Sequence, residues 1–129
     1  MATNPAQPTV PDGNALYAKN IPKAWCNFSV SGGVRTIHDA FNINSVILLG
    51  GPPADLSFAF HTAMANTNYA VVAFGSTPCT AVQNQLIENR AGRLVSAFVL
   101  SLYDPAGVQQ DITAVDVAGS VVVFGEQTT

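Results

Sequence analysis

Few residues in this chain could do chemistry, and their spacing nominates no reaction. The histidines are His38 and His61. His38 is followed by Asp39, a base beside a carboxylate that could orient it, and Ser29 or Ser57 could serve as nucleophile. Adjacent residues on a strand point to opposite faces, so His38 and Asp39 are not expected to pair, and there is no G-x-S-x-G elbow. Cys26 and Cys79 stand far apart with no C-x-x-C or H-x-x-H spacing, whereas zinc needs three or four convergent ligands. Asp12, Asp39, Asp55, Asp104 and Asp111 each lie beside a turn or a Gly/Pro, where a carboxylate accepts bonds from nearby backbone N–H groups. No two carboxylates are spaced as a glycosidase pair. Gly32-Gly33 and Gly50-Gly51-Pro52 lack the lysine and following helix of a phosphate loop. We therefore expect no catalytic residue, no cofactor and no metal. The protein is not expected to be an enzyme.

The elements around these residues must come from one domain, because the chain has 129 residues. Apolar residues make up 48%, enough for a core, but charged residues only 10%. With a net charge of −3 there is no basic footprint for phosphates, so nucleic acid is not an expected partner. So few charges leave an outer surface of Ser, Thr, Asn, Gln and Ala, better packed against something than free in solution. No signal peptide is apparent and no apolar run reaches the ~18 residues of a membrane span. The expected site of synthesis is a cytosol, where Cys26 and Cys79 stay reduced and unlinked.

Residues 1–20 differ from the rest. Pro5, Pro8 and Pro11 recur every three residues, which suits an extended path and forbids a helix. Such a segment reaches roughly 65 Å. It reads as an N-terminal arm for assembly, with Pro5, Pro8, Val10, Pro11, Leu16 and Tyr17 as its partner-binding residues.

From residue 21 to 129 the period is two. Ala24, Cys26, Phe28 and Val30 share one face of a strand that turns at Ser31-Gly32-Gly33, and Trp25 stands on the opposite parity as an oligomer-interface candidate. The segment from Arg35 to Ile43 alternates only in part. Val46–Leu49 is apolar throughout and stops at Gly50–Pro53, and Leu56, Phe58 and Phe60 mark a half-buried strand. Tyr69–Phe74 reads as a buried strand ended by Gly75, and Thr80–Arg93 as an excursion with at most a turn or so of helix. Leu94–Tyr103 is a long strand, Asp104–Gly107 a turn, Val108–Val117 a weaker strand, and Val121–Phe124 closes the chain. Seven or eight short strands predict an all-β, antiparallel, jelly-roll-like β-sandwich.

Four blocks carry a resemblance. Lys23–Phe28 is similar to a "KAW-x-NF" opening, and Thr36–Val46 to a "T-I-R-x-S-F-N-V-S-S-V" pattern. Ser57–Val71 resembles "V-x-F-x-T-A-M-P-x-x-N-Y-A-V", and Ser120–Gly125 "V-x-V-x-V-F-G". Together they resemble a β-sandwich module of tailed-bacteriophage virions, found at tail-fibre tips and in small stand-alone virion proteins. His38 replaces an arginine of the pattern and Ala65 a proline. The resemblance implies a non-catalytic structural protein, a homotrimer assembled in the host cytoplasm and carried in the virion. Its partners would be copies of itself and phage capsid or tail proteins. The favoured expectation is a capsid decoration or cement protein whose arm lies along the shell. The alternative is a short tail-fibre tip that recognises a host surface glycan or protein.

Overall fold

The computed structural model describes residues 20–77 and 83–127. The expected arm, apart from Asn20, lies outside the described residues, and with it Pro5, Pro8, Val10, Pro11, Leu16 and Tyr17. The described elements are β1 (Pro22–Ser31), β2 (Val34–Phe41), β3 (Ile43–Leu49), β4 (Asp55–Phe60), β5 (Ala70–Ser76), β6 (Gln85–Glu88), β7 (Ala97–Tyr103), β8 (Gln109–Gln110) and β9 (Val117–Phe124). A single 3₁₀ turn covers Arg90–Gly92. Among the described residues no helix is long and apolar enough to cross a membrane.

Two sheets result, with orders β2-β1-β9-β5 and β3-β4-β7-β6, and β8 pairs with β7. Every pairing is antiparallel. The architecture is an all-β sandwich, as the alternation predicts. Ala24, Cys26, Phe28 and Val30 of β1 meet Leu56, Phe58 and Phe60 of β4 and Phe98, Leu100 and Leu102 of β7 in one core. At its centre Phe28 meets Phe58 edge-on at 5.0 Å, and Phe58 stacks on Phe98 at 5.0 Å. Such ring pairs contribute about 0.5–1.5 kcal/mol beyond their buried area.

Several local expectations need correction. Nine strands are present among the described residues, not seven or eight. β5 is not a buried strand: it is a sheet edge, its outward Phe74 is 68% exposed, and Gly75 lies inside it. A Cβ on Gly75 would stand 2.6 Å from Leu86 Cδ1 of the other sheet, so glycine there lets two strands approach. Within the excursion, β6 is a strand of four residues, too short to show its period, and it buries only Leu86 against the core. Residues 108–117 form no long strand. After β8, Asp111 Oδ1 accepts the N–H of Thr113 (3.1 Å) and Ala114 donates to Asp111 O (3.0 Å), which turns the chain before β9.

The crossing from β2 to β3 rests on Asn42, whose φ of 55° is a left-handed conformation that asparagine tolerates better than most residues. Its amide nitrogen donates to Lys23 O (3.1 Å) and Thr62 O (3.0 Å), and its Oδ1 accepts the Thr62 N–H at 2.7 Å. One side chain thus ties together the starts of β1 and β3 and the end of β4. Tyr69 makes a second tie. Its hydroxyl donates to Leu94 O (2.7 Å) and Ala97 O (3.0 Å), and the Arg93 guanidinium lies over its ring.

Candidate functional site

The bulge opposite Asn27 and Phe28 takes His38 out of the β1–β2 ladder, and its Nε2 lies 2.9 Å from Ser29 Oγ on the exposed surface. The structure thus brings together one pair that the sequence offers for chemistry. The third member is missing, because Asp39 Oδ1 accepts the N–H of Ala40 (3.0 Å) instead of bonding the ring. Ser57 stands on β4, and the exposed His61 follows that strand. Among the described residues no three His, Cys, Asp or Glu side chains are grouped to hold a metal ion.

Cys26 is a free thiol, fully buried on the core face of β1, and Cys79 lies outside the described residues. Burial, with the charge of Asp39 adding to it, pushes the Cys26 thiol up to about 11. It is then neither a thiolate nor accessible, which a nucleophile requires. The turn carboxylates bond to the backbone as their positions imply. Asp104 Oδ1 accepts from Ala106 (2.9 Å) and Val108 (2.8 Å), and Asp111 Oδ1 accepts from Thr113 and Ala54. The bonds from Thr113, backbone and hydroxyl, and then from the Ala54 N–H, hold Asp111 below the usual carboxylate range. Asp55 departs from that pattern, accepting from Ser101 Oγ (2.7 Å) and Gln109 Nε2 (2.6 Å). Asp12 lies outside the described residues.

The outer face of the first sheet is a different matter. On it Phe41 faces Trp25, Trp25 faces Val122, and Val122 faces Val72, one residue from each strand in register. At about 4.8 Å per strand this apolar row spans about 14 Å. Next to it stand Phe124, half-buried, and Phe74. Val72 is 41% exposed and Trp25, Phe41 and Val122 are half-buried. From Trp25 onward the outward positions of β1, β9 and β5 carry no charged residue, and on β2 the exposed Asp39, opposite Asn27, brings one carboxylate to the border. A sheet face meant for water alternates to polar side chains at these positions, and a contiguous apolar patch marks a contact surface. Its polar border comes from Asn27, whose Oδ1 accepts from Ser120 Oγ at 2.7 Å, and from the Ser29–His38 pair. A shallow groove of about 400 Å³ lies between this border and Phe74.

Trp25 thus sits where its parity places it, on the outer face. No local pattern in the sequence singles out its neighbours Phe41, Val122, Val72 and Phe74. The signal for them is faint: each is a large apolar residue on the outward parity of its own strand, and only the register aligns them. No family model, no curated protein and no solved structure matches this chain.

Proposed function

We propose that this chain is a non-enzymatic structural protein of a bacteriophage virion, a decoration or cement protein that docks on the capsid as a homotrimer. The observation that carries the reading is the uncharged row Phe41–Trp25–Val122–Val72 with Phe74 beside it, an outer sheet face built for contact. Covering apolar surface is favourable by roughly 25 cal/mol per Å², and a ring of copies hides this face while leaving the polar border wet. The virion assignment rests on the four blocks that resemble the phage module, and the trimer on the oligomeric habit of such modules. Residues 1–20 serve as the anchor on the shell. Several weak arms held in one trimer bind together far more tightly than one.

The test is to locate and count this chain in the intact particle, with the full chain and with a chain lacking residues 1–20. The reading predicts hundreds of copies on the shell, lost on truncation while circular dichroism shows the sandwich still folded. A few tens of copies or fewer at the tail would instead make it a fibre tip. Absence from the particle would refute the virion role, and undiminished occupancy by the truncated chain would refute the anchor.

A further inference from the structure

The outer face of the second sheet carries a surface of another kind. A groove of about 830 Å³ runs along β6, between Asn89–Arg90 and the turn that follows Tyr103. Gln85 faces Tyr103 and Ile87 faces Ser101 across the β6–β7 pair. Leu86 and Leu102 are turned into the core, so Gln85, Ile87 and Tyr103 stand outward.

Both ends of the groove are built from bonds the chain makes with itself. At one end Asp104 Oδ1 accepts two turn N–H groups, and its Oδ2 accepts from Gln110 Nε2 at 3.1 Å. At the other end Glu88 and Arg93 form an ion pair with side chains only 11% and 10% exposed, and Asn89 Oδ1 accepts the Ala91 N–H at 3.2 Å. The two carboxylates are therefore already engaged, and little ordering is left for a ligand to bring about.

The groups left over define the ligand. Gln85, Arg90 and Tyr103 make no side-chain hydrogen bond among the described residues. Asn84, 9% exposed, supports the floor of the groove with its Oδ1 buried beneath it, without a hydrogen-bond partner among the described residues. Gln85 supplies an amide that donates and accepts, Arg90 a fork of donors, and Tyr103 an aromatic ring with a hydroxyl at its edge. A phosphorylated ligand calls for a cluster of cations, whereas among the described residues that line the groove Arg90 is the only unpaired cation, and Asp104 stands nearby. An apolar helix calls for a continuous apolar floor, and among the described lining residues only Ile87 and Pro105 supply one. Vicinal hydroxyls on a ring with an apolar face fit all of these groups. We infer that the groove binds a neutral oligosaccharide, one sugar ring against Tyr103 and its hydroxyls on Gln85 and Arg90. The inference does not rest on the assembly reading, since the groove and the apolar row lie on opposite sheets.

The experiment titrates the full-length protein with soluble neutral oligosaccharides of glucose, galactose, mannose, rhamnose and N-acetylhexosamines, using saturation-transfer NMR and then calorimetry. At least one should bind, and Tyr103→Ala should weaken it by about tenfold or more. Gln85→Ala, which removes an outward side chain with no internal partner, should weaken it severalfold with the fold intact. Val34→Ala, at an exposed position of the other sheet, should leave it unchanged. No binding of any neutral sugar at about 10 mM, selective binding of sulfated or sialylated sugars, or binding indifferent to both groove substitutions would overturn the inference.

Discussion

Asn42 offers the sharpest check on how the sandwich is held. Asn42→Ala removes three hydrogen bonds, to Lys23 O, to Thr62 O and from the Thr62 N–H. Each contributes about 0.5–1.5 kcal/mol net, and more where the abandoned partner stays buried. Alanine must also adopt the φ of 55°, at a further cost of about 1 kcal/mol. The expected loss is about 3–5 kcal/mol, a large share of the ~5–15 kcal/mol that holds a typical domain. With a urea dependence of about 2 kcal/mol per molar, the midpoint should fall by about 1.5–2.5 M. Asn42→Gly loses the same bonds but accepts the backbone conformation, so it should recover about 1 kcal/mol, or 0.5 M. That order, glycine above alanine, is the reverse of what an ordinary strand residue shows. The assay is urea unfolding followed by tryptophan fluorescence at one fixed protein concentration, since self-association shifts apparent stability. A loss below about 1 kcal/mol, or a glycine variant no more stable than the alanine one, would refute the role given to Asn42.

Burial pushes the Tyr69 hydroxyl up to about 12, an effect that Arg93 moderates and Glu88 reinforces. Because the folded value exceeds the unfolded ~10, its contribution is complete below pH 10 and is lost as pH rises through 12; stability of the native chain and of Tyr69→Phe should converge over that window, and parallel curves would contradict it. Gly125→Ala should cost about 1–3 kcal/mol, because a Cβ there would stand 2.6 Å from Tyr69 Cβ and 3.1 Å from Tyr69 Cα; an unchanged urea midpoint would show that the loop yields. Cys26 should react with iodoacetamide only as fast as the chain unfolds, and peptide mass spectrometry showing labelling at a free-thiol rate would contradict its burial.

The sequence carried the fold wherever alternation ran cleanly. β1 and β4 are legible because one apolar parity faces the core and the other does not. β5 differs from the expectation for a physical reason: a run that is apolar at every position looks the same whether both faces are buried or one is kept for contact. β6 is not legible because four residues hold only one inward side chain. The site was less legible than the fold. Trp25 stood out alone, while its row is assembled from four strands whose register no local pattern encodes. The Ser29–His38 pair likewise depends on a bulge. Several residues of the quoted blocks prove to hold the sandwich together: Asn42 and Thr62 join the β2–β3 crossing to the end of β4, and Gly125 lies against Tyr69 and Met64. Such blocks therefore report on architecture more than on chemistry.

In the proposed assembly the outer face of the first sheet is covered by copies of the chain. This arrangement is tested most directly by the molar mass of the full-length protein in solution, beside that of a Val72→Asp, Phe74→Asp double variant. Both side chains are exposed on edge strand β5, so the charges enter water in the monomer and leave its core intact. Multi-angle light scattering should give a trimer for the native chain and a monomer for the variant, with matching circular dichroism. A native chain that is monomeric at micromolar concentration, or a variant that stays trimeric, would contradict the claim.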